Sequence, residues 1–211
     1  MGGRPVVRPG ILCPVIGSIG LRLRLVLRQP GPPDRASGAR EAVDLPEVDF
    51  VAYSTSERLS GRIRLNSARL TDMLNAHQEF VLVDALAERL PDGGSMVVRE
   101  VLVRRHELAL VRAGGPRGDR ALRVPTTKHQ LMIRSGRYLV SGRLHSGAGE
   151  DPLAALRARD PMVPLTDATI MFRVGPDIVQ EPGGTIVVNR DLVEWVRKGE
   201  LDARSLDLPH A

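Results

Sequence analysis

The feature that most constrains the fold is an internal repeat. The stretch from Pro91 to Gly114 aligns without a gap with the stretch from Pro176 to Gly199, at an offset of 85 residues (176 − 91). Self-similarity at a fixed spacing is typical of chains built from repeated supersecondary units. Two copies of so short a unit predict tandem domains or one pseudo-symmetric domain. The identical positions are Pro91/Pro176, Asp92/Asp177, Val103/Val188, Arg105/Arg190, Val111/Val196, Arg112/Arg197 and Gly114/Gly199.

The similarity extends upstream at slightly smaller offsets. The segment Ser60-Gly61-Arg62-Ile63 recurs as Ser141-Gly142-Arg143-Leu144, at an offset of 81 (141 − 60). The segment Leu82-Val83-Asp84-Ala85 recurs as Leu165-Thr166-Asp167-Ala168, at an offset of 83 (165 − 82). Such drift is expected where loops absorb length changes. The predicted organisation is a disordered Gly/Pro/Arg-rich tail over 1–45, a first repeat over 46–114, a linker over 115–120, a second repeat over 121–199 and a C-terminal tail over 200–211.

The pattern within each copy predicts strands with one short helix. Apolar runs at 48–53 and 129–134 read as opening strands, and each precedes a Ser-Gly-Arg segment. A glycine inside a strand, here Gly61 or Gly142, marks a bulge or a sharp bend, as a strand needs to pass between the faces of a small barrel. We therefore predict a mostly β fold with short helices, arranged as two tandem small β-barrel repeats.

The helix in each copy has its own predicted boundaries. In the first copy Asn66 or Ser67 is the expected N-cap, and in the second copy Asp151 is the cap with Pro152 in the first turn. Both helices are predicted to be only two to three turns long. Helices that short are not stable alone, so we expect each to lie over the open end of a barrel.

Composition limits which kinds of core, partner and cellular location are expected for this chain. The chain has 211 residues, of which 42% are hydrophobic but only 3% aromatic, so the core is expected to consist of Val, Leu and Ile. The net charge of +5 comes from arginine, since Lys128 and Lys198 are the only lysines, and it permits contact with nucleic acid or an anionic membrane. Cys13 is the single cysteine, which fits a reducing, cytoplasmic location. No apolar run in the sequence is long enough to predict a transmembrane segment.

Three segments of the first copy resemble the Sm-like barrels, including the Hfq type. They are Gly61-Arg62-Ile63-Arg64, Asp72-Met73-Leu74-Asn75 and the run from Val101 to His106, which ends Arg104-Arg105-His106. The second copy has Ala154-Ala155-Leu156-Arg157 and Asn189-Arg190-Asp191 in the corresponding places. The resemblance covers about 60 residues per copy. It implies a small barrel of the Sm or SH3 type in each copy, with loops that face RNA.

The sequence predicts no catalytic, cofactor-binding or metal-binding residues. The duplicated Arg62 with Asp84, and Arg143 with Asp167, are read as structural ion pairs, because no base or nucleophile repeats beside either carboxylate. The five histidines lie far apart and have no metal-ligand spacing. No glycine-rich phosphate loop occurs, and no small-molecule substrate is evident.

These observations leave two functional hypotheses. The preferred one is a non-enzymatic interaction or regulatory module that binds a protein partner or itself. The alternative is RNA or another nucleic acid, bound through an arginine-rich barrel face, with strong salt dependence. Trp195 is read as a residue of the core or of a domain interface, with a partner hot spot as the alternative. The arginines assigned to the nucleic-acid face are Arg62, Arg64, Arg69, Arg104 and Arg105.

Overall fold

The computed structural model describes residues 45–116, 124–174 and 177–199. The predicted disorder of the N-terminal tail, most of the predicted linker and the C-terminal tail lie outside the described residues. Within them the protein is mostly β, with two short α-helices. This agrees with the fold class predicted from the sequence at that level of detail.

The first half contains five strands and one helix. A 3₁₀ turn over Arg105–Glu107 splits the last apolar run, which reads as one continuous run in the sequence, into two strands. The elements in chain order are β1 (Glu47–Ser54), β2 (Glu57–Arg64), α1 (Leu70–Ala76), β3 (Glu79–Arg89), β4 (Ser95–Arg104) and β5 (Leu108–Arg112).

The second half has the same element order. Its last two strands are again separated by a 3₁₀ turn, over Arg190–Leu192. The elements are β6 (Thr127–Ser135), β7 (Tyr138–Ser146), α2 (Pro152–Ala158), β8 (Met162–Val174), β9 (Asp177–Asn189) and β10 (Trp195–Lys198).

All ten strands join in one open antiparallel sheet with the order β10-β6-β7-β8-β9-β5-β1-β2-β3-β4. In each half the last strand pairs with the first, since β5 pairs with β1 and β10 pairs with β6. The halves are joined where β5 pairs with β9. The strands therefore form one sheet, and the sheet does not separate into two.

Strand registers in the two halves correspond. Ala52 pairs with Val111 in β1–β5, and Ile133 pairs with Val196 in β6–β10. Those residues are related by the sequence offsets of 81 and 85. The same holds for β3–β4 and β8–β9, where Leu82–Val101 corresponds to Leu165–Ile186 at offsets of 83 and 85. A residue in one half can thus be matched to its structural counterpart in the other.

The strand glycines sit at close backbone approaches. The β2–β3 register shifts between Ser60 and Arg62, and a Cβ on Gly61 would lie 3.0 Å from the Val83 carbonyl oxygen. The β7–β8 register shifts at the corresponding place, and a Cβ on Gly142 would lie 2.9 Å from the Ala168 Cβ. The bulge predicted at these glycines is present at both.

Two apolar clusters fill the interior. One consists mainly of second-half residues but includes Tyr53 and Leu110 from the first half. The other consists mainly of first-half residues but includes Met162 and Val187 from the second. Each half therefore completes the core of the other, and aliphatic side chains predominate, as the composition predicts.

One helix boundary differs from its prediction. The helix α1 begins after Arg69, and neither Asn66 nor Ser67 caps it with a side-chain hydrogen bond. Instead the Asn66 amide lies 3.0 Å from Nε2 of His77, the residue that follows the helix. The predicted cap of α2 is present, because the Asp151 carboxylate accepts a 3.0 Å hydrogen bond from the Ala154 amide with Pro152 in the first turn.

Candidate functional site: two sheet edges and the seam between the halves

The seam between β5 and β9 shows how this protein joins one half to another. Leu110 pairs with Val188, Val111 with Val187 and Arg112 with Ile186. One further backbone hydrogen bond extends the ladder, from Ala113 N to Thr185 O at 2.9 Å. The five apolar residues of these three pairs are all buried, with an exposure of 1% or less. The seam is thus a short antiparallel ladder with a dry apolar centre.

Polar side chains contact the backbone at one end of the seam, beside the start of β5. The Asn189 amide donates to the carbonyl oxygens of Arg105 and Leu108, at 3.3 and 2.9 Å. Near the same place the Tyr138 hydroxyl donates at 2.5 Å to the carbonyl of Ser54, the residue of β1 that pairs with Leu108. These bonds add side-chain donors from the second half to backbone carbonyls of the first half, and so join the two halves at a largely buried place.

A third group at the seam is built around Glu181. Its carboxylate accepts from the Tyr53 hydroxyl at 2.8 Å and from Arg112 at 3.0 Å. Burial together with the neighbouring Glu181 carboxylate raises the pKa of Tyr53 to about 12. Tyr53 therefore stays a neutral donor at physiological pH, and Arg112 balances the carboxylate charge.

Two strands end the sheet. Among the described residues, β4 pairs only with β3 and β10 pairs only with β6. We call the side of β4 that faces away from β3 the β4 edge, and the side of β10 that faces away from β6 the β10 edge. Edge strands present rows of backbone donors and acceptors that can pair with another chain.

The direction of the edge amides follows from the ladder pattern. Successive amides along a strand point to opposite sides. Gly199 N donates to Gln130 O in β6, so the amides of Val196 and Lys198 point away from β6, to the β10 edge. Arg105 N donates to Gln78 O, next to β3, so the amides of Leu102 and Glu100 point to the β4 edge. Each edge therefore offers at least two outward donors.

Apolar side chains accompany these amides. Leu102, Trp195 and Val196 are half-buried, and Val97 near the start of the β4 edge is 79% exposed. Trp195 packs beside Met132, Leu139 and Met171, and the Arg197 guanidinium lies 4.9 Å from its ring centre. Within the described ranges, the edges thus combine backbone groups that have no strand partner with incompletely buried apolar surface.

The structure brings each predicted Arg–Asp pair together across adjacent strands. Arg62 in β2 contacts the Asp84 carboxylate in β3, and Arg143 in β7 contacts Asp167 in β8 at 3.0 Å. All four side chains are about half exposed or more. Both pairs lie in water-accessible surroundings, where an ion pair contributes little.

The aspartates have a further property that sequence reasoning missed. Asp84 has φ of 49° and Asp167 has φ of 50°, and they are the only non-glycine residues with positive φ in the described part of the chain. Aspartate tolerates this left-handed conformation better than most residues. The sequence signal was an aspartate at the same place in both copies, within Leu82-Val83-Asp84-Ala85 and Leu165-Thr166-Asp167-Ala168.

Most of the arginines assigned to an RNA face make ion pairs or hydrogen bonds within the protein. Arg62 and Arg64 both contact the Glu47 carboxylate, at 2.8 and 3.4 Å. Arg104 meets Glu79 at 3.1 Å. The Arg105 side chain donates to the carbonyls at the end of α1, and Arg69 is exposed at the start of that helix. Much of the positive charge in this group is therefore balanced locally.

Other features give no site. No group of three or more His, Cys, Asp or Glu side chains suited to a metal occurs in the described ranges. A shallow hollow beside α2 is lined by Asp151 and Lys198, whose Oδ1 and Nζ atoms form an ion pair 2.9 Å long. Helices long and apolar enough to cross a membrane are absent from the described residues.

Sequence reasoning also missed the two edges. Because β5 of the first copy pairs with β9 of the second, the equivalent strands β10 and β4 are left at the two ends of the sheet. Hydrophobic periodicity does not show which strands pair, so the sequence did not predict these edges.

No protein-family model matches the chain, and neither the curated proteins nor the solved structures compared with it give a match.

Proposed function

We propose that the chain is a non-enzymatic interaction module of two small β-barrels, which binds protein through the β4 and β10 edges. The observation that carries this proposal is the pair of sheet edges with outward amides and half-buried apolar side chains. Pairing of a strand with an exposed edge is a common mode of recognition, in which backbone hydrogen bonds provide affinity and side-chain pockets provide specificity.

The connection between β4 and β5 supports a curled, barrel-like half. These two strands are at opposite ends of the order β5-β1-β2-β3-β4, yet only Arg105–Glu107 separate them. Four extended steps span at most about 14 Å. A flat sheet would place the strands about 19 Å apart, at about 4.8 Å per neighbour. The short connection thus supports a curled half, whose inside would hold the core cluster of mainly first-half residues.

Enzymatic function has no support from the geometry of the described residues. The duplicated carboxylates each face an arginine and lie on the surface. An exposed carboxylate that an arginine engages fits a structural ion pair better than a general acid or base.

Site-specific photo-crosslinking in cells tests the proposal. A benzophenone amino acid at Val97, which flanks the β4 edge, or at Arg197 in β10 is expected to form adducts with protein. The same probe at Asp72, which is exposed on α1, is the matched control. Adducts at Asp72 as abundant as those at Val97 and Arg197 would contradict an edge-specific function.

RNA binding is the alternative outcome of this experiment. In that case the probe at Arg69 or Arg104 would crosslink RNA, and filter binding would weaken steeply between two salt concentrations because phosphate contacts release counterions. Protein adducts confined to the edges, with no salt-dependent RNA retention, support the interaction module.

A further inference from the structure

The intramolecular seam provides a template for contacts at the two ends of the sheet. In the seam, β5 of the first half pairs with β9 of the second. The counterpart of β5 in the second half is β10, and the counterpart of β9 in the first half is β4. These two counterparts are the edge strands, one at each end of the sheet order.

The offset of 85 residues transfers the register of the seam to the edges. Adding it to Leu110, Val111 and Arg112 gives Trp195, Val196 and Arg197. Subtracting it from their partners Val188, Val187 and Ile186 gives Val103, Leu102 and Val101. Both edges therefore carry the residues that would pair if the seam were repeated between two chains.

The backbone groups are already in position for such a ladder. In the seam the Ala113 amide points from β5 to β9, and Val111, two residues earlier, points the same way. Their counterparts Lys198 and Val196 point to the β10 edge. On the other strand, Leu102 and Glu100 point to the β4 edge and correspond to Val187 and Thr185 in the seam.

The side chains are also complementary. Leu102, Trp195 and Val196 are half-buried, whereas their seam counterparts Val187, Leu110 and Val111 are fully buried. The ladder would place Lys198 opposite Glu100, a pair of opposite charges in the position of Ala113 and Thr185. Opposite charges directly across a strand pair are favourable, and like charges are not.

One polar contact of the seam has a counterpart as well. Asn189 donates to two carbonyls at the start of β5. The residue at its position in the first half is Arg104, whose side chain is also a hydrogen-bond donor. It would face the carbonyls of Arg190 and Val193 at the start of β10. Arg104 contacts Glu79 at 3.1 Å through Nε, and its guanidinium has further N–H groups that could donate to these carbonyls.

We propose that the protein binds a second copy of itself head to tail, with the β10 edge of one chain pairing antiparallel with the β4 edge of the next, in the register Trp195–Val103, Val196–Leu102 and Arg197–Val101. The inference rests on the proposed function and names the partner. Each chain uses two different edges, so the contact is heterologous and continues until a ring closes or a filament forms.

Complementary edge-blocked variants test the pairing. Leu102→Pro and Val196→Pro each remove one outward amide, at positions where proline does not break a hydrogen bond within the described sheet. We expect light scattering to show that the wild-type chain forms oligomers. Each variant alone should be a monomer, and a mixture of the two should form only a one-to-one dimer, because one intact edge of each kind remains.

The outcomes separate head-to-tail pairing from its competitors. A dimer formed by either variant alone would overturn the proposal, because it requires pairing between like edges. A wild-type chain that remains monomeric at high concentration, with Leu102 and Val196 amides exchanging at a rate independent of concentration, would overturn it too. In that second case edge-specific crosslinks to a different protein would still support the proposed function.

Charge exchange at exposed positions tests the register without proline. Glu100→Lys places two lysines opposite each other and is expected to weaken association about tenfold. Adding Lys198→Glu to the same chain should restore association. Trp195 is the only tryptophan, so its fluorescence should shift to the blue as chains associate. Failure of the double variant to recover, while both single variants stay folded, would exclude this register.

Discussion

At the scale of the residue, Asp84 and Asp167 combine two features in one side chain. Each holds a positive φ at a strand bulge and each faces an arginine. The ion pairs lie in water, whereas the backbone conformation is required wherever the bulge forms. Backbone conformation is therefore the stronger reason for an aspartate in both copies.

The first prediction separates these two roles. Asp84→Asn keeps a side chain that tolerates the left-handed conformation and removes the charge, so it should change the free energy of unfolding little. Asp84→Ala loses that tolerance and should be less stable than Asp84→Asn by about 1 kcal/mol. Urea denaturation measures both, with the exposed Asp177→Ala as control. Equal losses in the two Asp84 variants would assign the role to the ion pair.

Glu57 carries a second prediction at this scale. It is 2% exposed, and Glu57 Oε2 has no hydrogen-bond partner among the described residues. Burial raises the pKa of Glu57 in the folded state, although Arg89 opposes the shift. The stability that this group contributes is fully present below its unfolded pKa and is lost as the pH rises through the folded pKa.

We therefore expect Glu57→Gln to be more stable than the wild type at neutral pH and to lose less stability as the pH rises from about 4.5. Urea denaturation at a series of pH values gives the comparison. Glu107→Gln, at a partly exposed position in the 3₁₀ turn, is the control. A wild-type stability that increases with pH, relative to Glu57→Gln, would contradict the direction of this pKa shift.

At the scale of the element, the bend of β2 depends on a missing side chain. A Cβ on Gly61 would lie 3.0 Å from Val83 O and 3.2 Å from the Ala85 Cα. Both neighbours are backbone atoms of β3, so neither can move as a flexible side chain could. The strand can approach β3 this closely only with glycine.

Gly61→Ala is accordingly expected to destabilise the protein by about 1–3 kcal/mol, as overpacking does. Gly147→Ala is the matched control, since its nearest neighbour would be the Glu150 side chain at 3.4 Å. Thermal denaturation compares the two variants. An unchanged midpoint for Gly61→Ala would mean that β2 and β3 can separate without cost.

At the scale of the whole molecule, the halves should unfold together. Tyr53, Tyr138 and Phe172 pack edge to face across the seam, with ring centres 5.6–5.9 Å apart. Each of the two apolar clusters also contains residues from the other half. Neither half therefore retains a complete core without the other.

The corresponding prediction uses two probes of unfolding. Trp195 fluorescence reports on the second half and far-ultraviolet circular dichroism on the whole sheet, and their transitions should coincide. Tyr138→Phe removes the hydroxyl that donates to the Ser54 carbonyl and should lower the free energy of unfolding by about 1–2 kcal/mol. The fluorescence and circular dichroism transitions of this variant should still coincide. Tyr53→Phe is the comparison, because Arg112 still balances Glu181. Two distinct transitions would show that the halves fold independently.

The sequence by itself determined the repeat, most of the strands and the strand glycines. Those features depend on local properties: alternation of apolar residues, turn residues and the absence of a Cβ at Gly61 and Gly142. It also placed Arg62 beside Asp84 and Arg143 beside Asp167, since duplicated charges at matched positions in neighbouring strands are within reach of each other. The cap of α1 was predicted wrongly, because Asn66 contacts His77 instead.

Tertiary structure alone decided which strands pair between the halves. Hydrophobic periodicity gives the same pattern for a strand whether its neighbour is β1, β9 or another chain, since backbone hydrogen bonds carry no sequence signature. The 3₁₀ turn at Arg105–Glu107 turns β5 back to β1, and β5 then has one free side for β9. The same arrangement in the second half leaves β10 without a pairing strand on that side among the described residues. That is the physical reason why the candidate site appears only in the folded protein.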